Sequence, residues 1–196
     1  MPALREALAA QGGLLVAALA AAPSTATLRD GSSVAQLDRR LGTDLGRALG
    51  VDSDDGLSAA LTALPAASAL PADVLSDHLV ALVTAGRDLP EPVAPDRGAL
   101  RLVVRALAAR LAAQAPGRHV EARIPPYAAV QCVDGPRHTR GTPPNVVEAE
   151  PVAFLELCTG RLAWAQAAAD GRVRTWGDRA DLSAWLPLPP WSPLPP

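Results

Sequence analysis

The feature that most constrains this chain is a change in the spacing of its apolar residues on the two sides of Pro116-Gly117. Between Leu100 and Leu111, apolar residues recur every three or four positions, which is typical of a helix with one buried face. Residues 119–124 instead alternate between polar and apolar side chains, which is the period of a strand with one buried face. A helix with an apolar stripe followed by such a strand predicts a sheet that is covered by helices.

The segment after residue 124 continues with a mixture of strands and helices. Further strands are predicted over 127–133, 146–149 and 172–176. Further helices are predicted from Pro151 to Gly160, through Trp164 and Ala168, and around Leu182, Trp185 and Leu186. We therefore expect an α+β fold in which helices cover a mainly antiparallel sheet.

The first half of the chain shows helical periods only. Ser32 or Ser33 can cap a helix that Gly50 ends. Asp55 can cap a shorter helix, and Pro71 can begin a third one that runs to Gly86. These helices predict a loose bundle.

Two proline-rich stretches punctuate the chain. Residues 89–95 (LPEPVAP) contain three prolines, so they cannot continue a helix and are expected to form a linker. The sequence from Pro187 (PLPPWSPLPP) predicts a polyproline-like extension. The expected organisation is a helical bundle-like region over 1–89, a linker over 90–97, an α+β domain over 98–188 and a proline-rich tail over 189–196.

Composition and charge exclude several classes of protein. A hydrophobic content of 49% is too high for a disordered chain. With a formal net charge of -2 and arginines scattered among carboxylates, we expect no nucleic-acid partner. Cys132 and Cys158 are too few for a disulfide framework or a structural zinc site. We expect buried, reduced thiols and neither a metal nor a cofactor.

An apolar run near the N-terminus, Gly12 to Ala22, loosely resembles a secretory signal. Only one basic residue, Arg5, precedes it, and Glu6 lies beside that arginine. The run is also shorter than the roughly 20 residues that a membrane-spanning helix needs. We expect a cytoplasmic protein with an alanine-rich first helix and no transmembrane segment.

Two stretches of the second half resemble a known family. Residues 157–186 (LCTGRLAWAQAAADGRVRTWGDRADLSAWL) resemble the closing segment of sterol carrier type 2 domains, with a turn glycine, a Gly-Arg-Val strand and a leucine-bearing end. Residues 124–148 (IPPYAAVQCVDGPRHTRGTPPNVVE) are similar to a stretch of an actinobacterial branch described as bacterial sterol carrier orthologues.

The resemblance implies a hydrophobic cavity between sheet and helices that holds a sterol, a fatty acid or an acyl chain. The candidate lining residues are Val103, Leu107, Val130, Phe154, Leu155, Trp164, Leu182 and Trp185. The same side chains would also make an ordinary filled core. We expect a non-catalytic protein that binds a lipid or acyl ligand.

The loop over residues 134–145 (DGPRHTRGTPPN) is the candidate polar site. It brings together four polar side chains, Arg137, His138, Thr139 and Arg140. Arginine forks bind carboxylates and phosphates in bidentate geometry, and a histidine adds a pH-dependent donor. The loop could therefore hold a ligand head group. Alternatively, the arginines pair with nearby acids such as Asp134 and Glu148 and only fix the loop.

Two other classes of function stay open. A helical bundle followed by a sterol-carrier-like domain resembles the mycothiol-dependent maleylpyruvate isomerases, whose bundle holds a metal with histidines and an acid. Here only His78 lies in the N-terminal half, in step with apolar neighbours, so such a site cannot be assembled from this half alone. No nucleophile motif is present either. The third class is a regulatory module that binds a protein partner through the helical half or through Trp191 in the tail.

Overall fold

Helices fill the described part of the first half of the chain in the computed structural model. The structure describes residues 2–51, 56–64, 70–135 and 145–189. The helices are α1 (Pro2–Ala21), α2 (Val34–Leu49), α3 (Leu57–Ala63) and α4 (Ala72–Asp88). Helix α1 packs against α3 and α4, and α2 packs against α3 and α4, so these four form a small bundle.

Local capping explains where α2 begins and ends. The Ser33 hydroxyl accepts a hydrogen bond from the Gln36 N–H at 3.2 Å, and the Gln36 side chain accepts one from the Ser33 N–H at 2.7 Å. Gly50 ends the helix in the left-handed conformation with φ of 72°. Both predicted boundaries are confirmed.

Helix α3 is capped from another helix. Asp55, the predicted cap, lies outside the described residues. The Asp38 carboxylate on α2 accepts a hydrogen bond from the Leu57 N–H at 3.1 Å. A methyl group on Gly42 would lie 2.3 Å from the Gly56 carbonyl carbon, so the close approach of α2 to this turn requires a glycine.

Helix α1 buries one face inside the bundle. Leu8 and Leu15 are fully buried, and so is Gln11, whose amide oxygen accepts a hydrogen bond from the Asp96 N–H at 2.8 Å. By length and composition, α1 could span a membrane, with a mean hydropathy of 1.3 over a window of which 33% is buried. The apolar run from Gly12 covers only part of α1. The absence of a transmembrane segment and a cytoplasmic location therefore stay predictions.

The second half mixes helices and strands, as predicted. Its elements are helix α5 (Arg97–Gln114), strands β1 (Val120–Ile124), β2 (Ala128–Cys132) and β3 (Asn145–Ala149), helices α6 (Pro151–Cys158) and α7 (Trp164–Ala169), strand β4 (Val173–Trp176) and a short 3-10 turn (Ser183–Trp185). The strands lie in the order β2-β1-β3-β4. The α+β class is confirmed.

The sheet is mixed rather than purely antiparallel. Strands β1 and β2 form a hairpin, and β3 and β4 are antiparallel, but β1 and β3 are parallel neighbours. Strand β2 ends beside the start of β1, with Cys132 opposite Val120, and β3 starts at the same end, with Asn145 also opposite Val120. Strand β3 therefore runs in the same direction as β1, and the alternation of side chains does not reveal which strands become neighbours.

The predicted last helix is wrong in extent, because the structure has only a 3-10 turn over Ser183–Trp185. The Asp181 carboxylate accepts a hydrogen bond from the Ser183 N–H at 2.7 Å and starts the turn. Pro187 then disfavours helical backbone at Leu186, which is extended with ψ of 140°.

The chain divides into two compact units, residues 1–102 and 103–195, here called the N-terminal and the C-terminal unit. The division falls inside α5, which begins directly after the irregular proline-rich stretch 89–96. The domain limits proposed from the sequence stay a prediction.

Candidate functional site

One face of the sheet in the C-terminal unit is apolar. The strand register places together the buried side chains of Val120, Ala122, Ile124, Val147, Ala149 and Val173. The opposite face carries the charged side chains of Glu121, Arg123, Glu148 and Arg174. The apolar face also carries Asn145 and Thr175, so the sheet directs a mainly apolar surface towards the interior of the unit.

The apolar face borders a small internal space. Across from the strands lie residues of α6, α7 and the segment around the 3-10 turn. The space is lined by Ala122, Arg123, Ile124, Val147, Ala149, Phe154, Leu157, Trp164, Leu182 and Leu186. It holds a cavity of about 10 Å³, which is close to the volume that one water molecule needs. In this conformation the space is nearly filled by side chains.

Helix α6 presents two large side chains to this space. Pro151 occupies the first turn, where its missing N–H costs nothing. Phe154 and Leu157 are three residues apart, so they lie on the same face of the helix. Gly160 follows the helix with φ of 72°, and the Leu188 N–H donates to the Cys158 carbonyl at 2.9 Å. That bond ties the C-terminal segment to the end of α6.

Accessibility divides the lining residues into an interior group and a rim. Phe154, Leu157 and Leu182 are buried, whereas Trp164 and Leu186 are only half-buried. Arg123 points to the opposite face, where its Nε donates to a Glu121 carboxylate oxygen at 2.8 Å. This hydrogen bond raises the pKa of Arg123 above its ordinary value. The interior group is therefore apolar throughout, and the residues closest to solvent are Trp164 and Leu186.

A buried polar cluster lies at the other end of the sheet. The Asn145 side-chain nitrogen is 3.1 Å from both the His119 carbonyl oxygen and the His119 Nε2. The Asn145 side-chain oxygen accepts a hydrogen bond from the Arg179 N–H at 3.0 Å. The cluster joins the starts of β1 and β3 to the segment that follows β4.

Residues 96–188 match the family model described as bacterial SCP ortholog, where SCP denotes sterol carrier protein. This segment belongs to the bacterial sterol carrier protein-like family. A comparison with curated proteins gave no match. We refer to residues 96–188 as the sterol-carrier-like segment.

The structure brings together three of the eight predicted cavity residues of the sterol-carrier-like segment. Phe154, Trp164 and Leu182 line the internal space. Val103, Leu107 and Leu155 are buried but do not border that space. Val130 is half-buried on β2 and Trp185 is half-buried in the 3-10 turn. A ligand cavity lined by all eight of these residues stays a prediction.

The predicted head-group residues Arg137, His138, Thr139 and Arg140 lie outside the described residues. The end of β2 and the start of β3 flank these residues in sequence and are described. Both lie beside Val120, at the start of β1. The internal space lies further along the same strands, between Ala122 and Ala149. Its nearest strand residue, Val147, is two positions from Asn145, or roughly 7 Å along the strand.

Sequence reasoning missed the structural part that His119 plays. The alternating period places His119 among the polar, outward-facing residues of the first strand, but the structure buries it to 6% exposure. A methyl group on Gly135 would lie 2.5 Å from the His119 ring, so the chain after β2 packs directly on the imidazole. A glycine sixteen positions away was the only signal, and no local pattern links the two.

Both cysteines of the sterol-carrier-like segment are free and buried, as expected. Burial raises the pKa of the Cys132 thiol from 9.0 to about 11. Burial also raises the pKa of the Cys158 thiol well above its ordinary value. Raised values favour the neutral thiol, which is neither a nucleophile nor a metal ligand.

The N-terminal unit contains one histidine, His78, of the type that an isomerase-type metal site would need. His78 Nδ1 lies 2.8 Å from the Val74 carbonyl oxygen, and its Nε2 lies 3.3 Å from the Asp44 carbonyl oxygen. A carbonyl only accepts, so a ring nitrogen that donates to it has no lone pair left for a metal. Among the described residues, no group of three His, Cys, Asp or Glu side chains could hold a metal ion.

The N-terminal unit also contains a larger groove, of about 370 Å³, between the end of α1 and residues 89–93. Alanines and prolines make up most of its wall, and Glu91 is the charged residue in it. This volume falls within the usual range of small-molecule sites. The groove lies outside the sterol-carrier-like segment and contains no aromatic side chain.

Proposed function

We propose that the C-terminal unit binds a lipid, a fatty acid or another acyl ligand between the sheet and α6, and that it holds this ligand without transforming it. Membership of residues 96–188 in the sterol carrier family is the observation that carries the proposal. The apolar surface of the sheet, facing Phe154, Leu157 and Leu182, supports it independently. Burying hydrocarbon against such a surface is favourable by roughly 25 cal/mol per Å².

Binding requires the internal space to open. A cavity of about 10 Å³ is far below the roughly 300–1,000 Å³ of ordinary ligand sites. The segment around Leu182 and Leu186 is the natural part to move, because the 3-10 turn there is short and one backbone bond from Leu188 holds it to α6. The half-buried Trp164 and Leu186 would form the entrance.

We propose that the site does not transform its ligand, because of the side chains that line it. The side chains that line the space are alanine, valine, isoleucine, leucine, phenylalanine and tryptophan, with Arg123 directed to the other face. None of these is a nucleophile or a general acid or base. The buried thiols are neutral at physiological pH. A ligand held here would meet only packing contacts.

A charged head group would need partners beyond this apolar lining. Arg137 and Arg140 remain the proposed partners, since a guanidinium binds a carboxylate or phosphate in bidentate fashion. The double variant Arg137→Ala/Arg140→Ala should then weaken binding of a fatty acid and leave binding of an uncharged sterol unchanged. Equal affinities for the fatty acid before and after the change would mean that these arginines only fix the loop.

Fluorescence titration tests the proposal with a built-in control of location. The full chain is titrated with a long-chain fatty acid, a fatty acyl-CoA and a sterol while tryptophan emission is recorded. Trp164 borders the internal space, whereas Trp176 lies on the opposite face with 49% of its surface exposed. The comparison is made in a Trp185→Phe background, because Trp185 lies in the segment proposed to move. In that background the Trp164→Phe variant should lose most of the signal change, and the Trp176→Phe variant should keep it.

The outcomes separate internal binding from other binding. Saturable binding that Trp164 reports supports the proposal and names the ligand class. Binding that leaves Trp164 unaffected would place the ligand elsewhere, for example in the groove of the N-terminal unit, which has no aromatic side chain. No saturable binding of any of the three ligands would contradict the proposal.

A further inference from the structure

The groove of about 370 Å³ in the N-terminal unit lies where two helices end. One wall comes from the last turn of α1 and the residues directly after it, Ala18, Ala21, Ala22 and Pro23. The other wall is the segment 89–93, which follows the last residue of α4. The carboxyl-terminal ends of both helices are therefore next to the groove.

Prolines at these helix ends remove hydrogen-bond donors from the groove. In a helix that continued beyond α1, residue 23 would donate its N–H to the Leu19 carbonyl, but Pro23 has no N–H. Pro90 and Pro92 in the opposite wall have no N–H either. The Gly86 carbonyl accepts a hydrogen bond from the Val93 N–H at 2.9 Å instead of one from residue 90. Each of these three prolines carries a backbone acceptor and no backbone donor.

The charges around the groove favour a cation. The carboxyl-terminal end of a helix carries a partial negative charge of about half an elementary charge, and α1 has no basic residue in its last turn to offset it. The exposed side chain of Glu91 adds a full negative charge to the lining. Arg87 and Asp88 lie in the last turn of α4, outside the lining, and their opposite charges largely cancel. The groove is therefore electronegative.

We propose that this groove binds a small organic cation, a primary ammonium ion with a compact apolar body. Its N–H groups donate to backbone carbonyls at the end of α1 and to the Glu91 carboxylate, as a lysine side chain does at the end of a helix. The alanine and proline walls contact the apolar body. Binding here does not depend on the carrier role proposed for the C-terminal unit, since the lining residues lie outside 96–188.

A matched series of probes tests the sign of the charge. Amide NMR spectra of the isotope-labelled full chain are recorded during titration with phenylpropylammonium, phenylpropanol and phenylpropanoate, which share one apolar body. We expect the ammonium ion to shift the amide signals of Ala21, Ala22 and Glu91 to saturation. The alcohol should bind roughly two- to thirty-fold more weakly at these positions, because it lacks the charge that the helix end and the carboxylate attract. The carboxylate should bind more weakly still.

Two pairs of variants test the location. Ala21→Leu fills the groove and should abolish the saturable shifts, while Ala20→Leu, at an exposed position outside the lining, should leave the affinity for the ammonium ion unchanged. Glu91→Gln should weaken binding about two- to five-fold, and Glu6→Gln, near the opposite end of α1, should not change it. Equal binding of the alcohol and the ammonium ion, unchanged affinity in either groove variant, or no saturable shift at the groove would overturn the proposal.

Discussion

Asn145 joins His119 to the segment after β4 through a single buried amide. Its nitrogen lies 3.1 Å from the His119 carbonyl oxygen and its oxygen accepts the Arg179 N–H at 3.0 Å. Both side chains are nearly inaccessible to solvent, at 4% for Asn145 and 6% for His119. A buried amide that is fully bonded stabilises one arrangement of the strands, because any other leaves polar groups without partners.

Replacing this amide should destabilise the C-terminal unit. Asn145→Ala removes the hydrogen bonds that the amide makes with the His119 carbonyl and the Arg179 N–H, and a hydrogen bond of this kind contributes about 0.5–1.5 kcal/mol. Thermal unfolding of the variant should show a clearly lower midpoint. The control Gln131→Ala, at an exposed position of β2, should stay within about 0.5 kcal/mol of the wild type. Equal stability of the two variants would contradict the structural role of the amide.

Gly135 should tolerate no larger side chain while His119 is present. A methyl group there would overlap the imidazole at 2.5 Å, so Gly135→Ala should cost about 1–3 kcal/mol. A His119→Ala background removes the ring but keeps the Cβ, 2.9 Å from the added methyl group, so the same substitution should cost clearly less there. Unfolding of the four proteins in a double-mutant cycle measures this coupling. A cost that is the same in both backgrounds would show that the ring is not the obstacle.

The packing of the internal space predicts that alanine substitutions at two leucines of one segment destabilise the protein to different degrees. Leu182→Ala removes a side chain with 1% exposure and should cost about 2–5 kcal/mol, while enlarging the cavity. Leu186 is half-buried, so Leu186→Ala should cost clearly less. Denaturant unfolding gives both values. Equal costs would mean that Leu182 does not pack in the interior as described.

The raised pKa of Cys132 predicts how the stability of the folded chain depends on pH. The pKa of Cys132 is raised from 9.0 to about 11, so the folded chain keeps this proton in a range where the unfolded chain loses it. Stability contributed by the neutral thiol is thus complete below pH 9 and falls as the pH rises towards 11. Unfolding measured across this range should show a shallower fall for Cys132→Ala than for the wild type. Identical slopes would contradict the raised pKa.

The same raised pKa values govern reactivity towards thiol reagents. At neutral pH the native protein should react slowly, since the thiolate is the nucleophile and its fraction is very small. Both cysteines should react on unfolding in denaturant. Rapid modification of either thiol in the native protein would show that its burial is incomplete.

Local chemistry made part of the fold predictable from the sequence. Ser33, Gln36 and Gly50 determine the ends of α2 by contacts within a few residues, and the alternation over 119–124 identifies β1 in the same way. Pro151 and Gly160 likewise bound α6. In each case the partner of the deciding residue is close in sequence, so the pattern is visible without the structure.

The features that were missed depend on distant partners. His119 is buried because Asn145 and Gly135 lie against it, and neither neighbour is implied by the strand period. The parallel pairing of β1 with β3 depends on which strands become neighbours, which periodicity does not describe. The segment at Leu182 forms a short turn instead of a helix because Pro187 and the bond from Leu188 to Cys158 constrain it.

The proposed carrier role contrasts with the small size of the cavity. Residues 96–188 belong to a sterol carrier protein-like family, yet the interior between the sheet and α6 holds a cavity of only about 10 Å³. A ligand can enter only if this interior opens, and we propose that the segment around Leu182 and Leu186 moves. Ligand carriage by this unit is therefore a claim about an opened conformation.

Native mass spectrometry of the full chain tests that claim most directly. The protein is measured alone, after organic extraction, and with a long-chain fatty acid, a fatty acyl-CoA or a sterol. We expect one ligand per chain for at least one of the three, reaching saturation and lost on extraction. A chain that shows no adduct, or an unsaturable series of adducts with all three, would contradict the claim that this unit holds an apolar ligand in its interior.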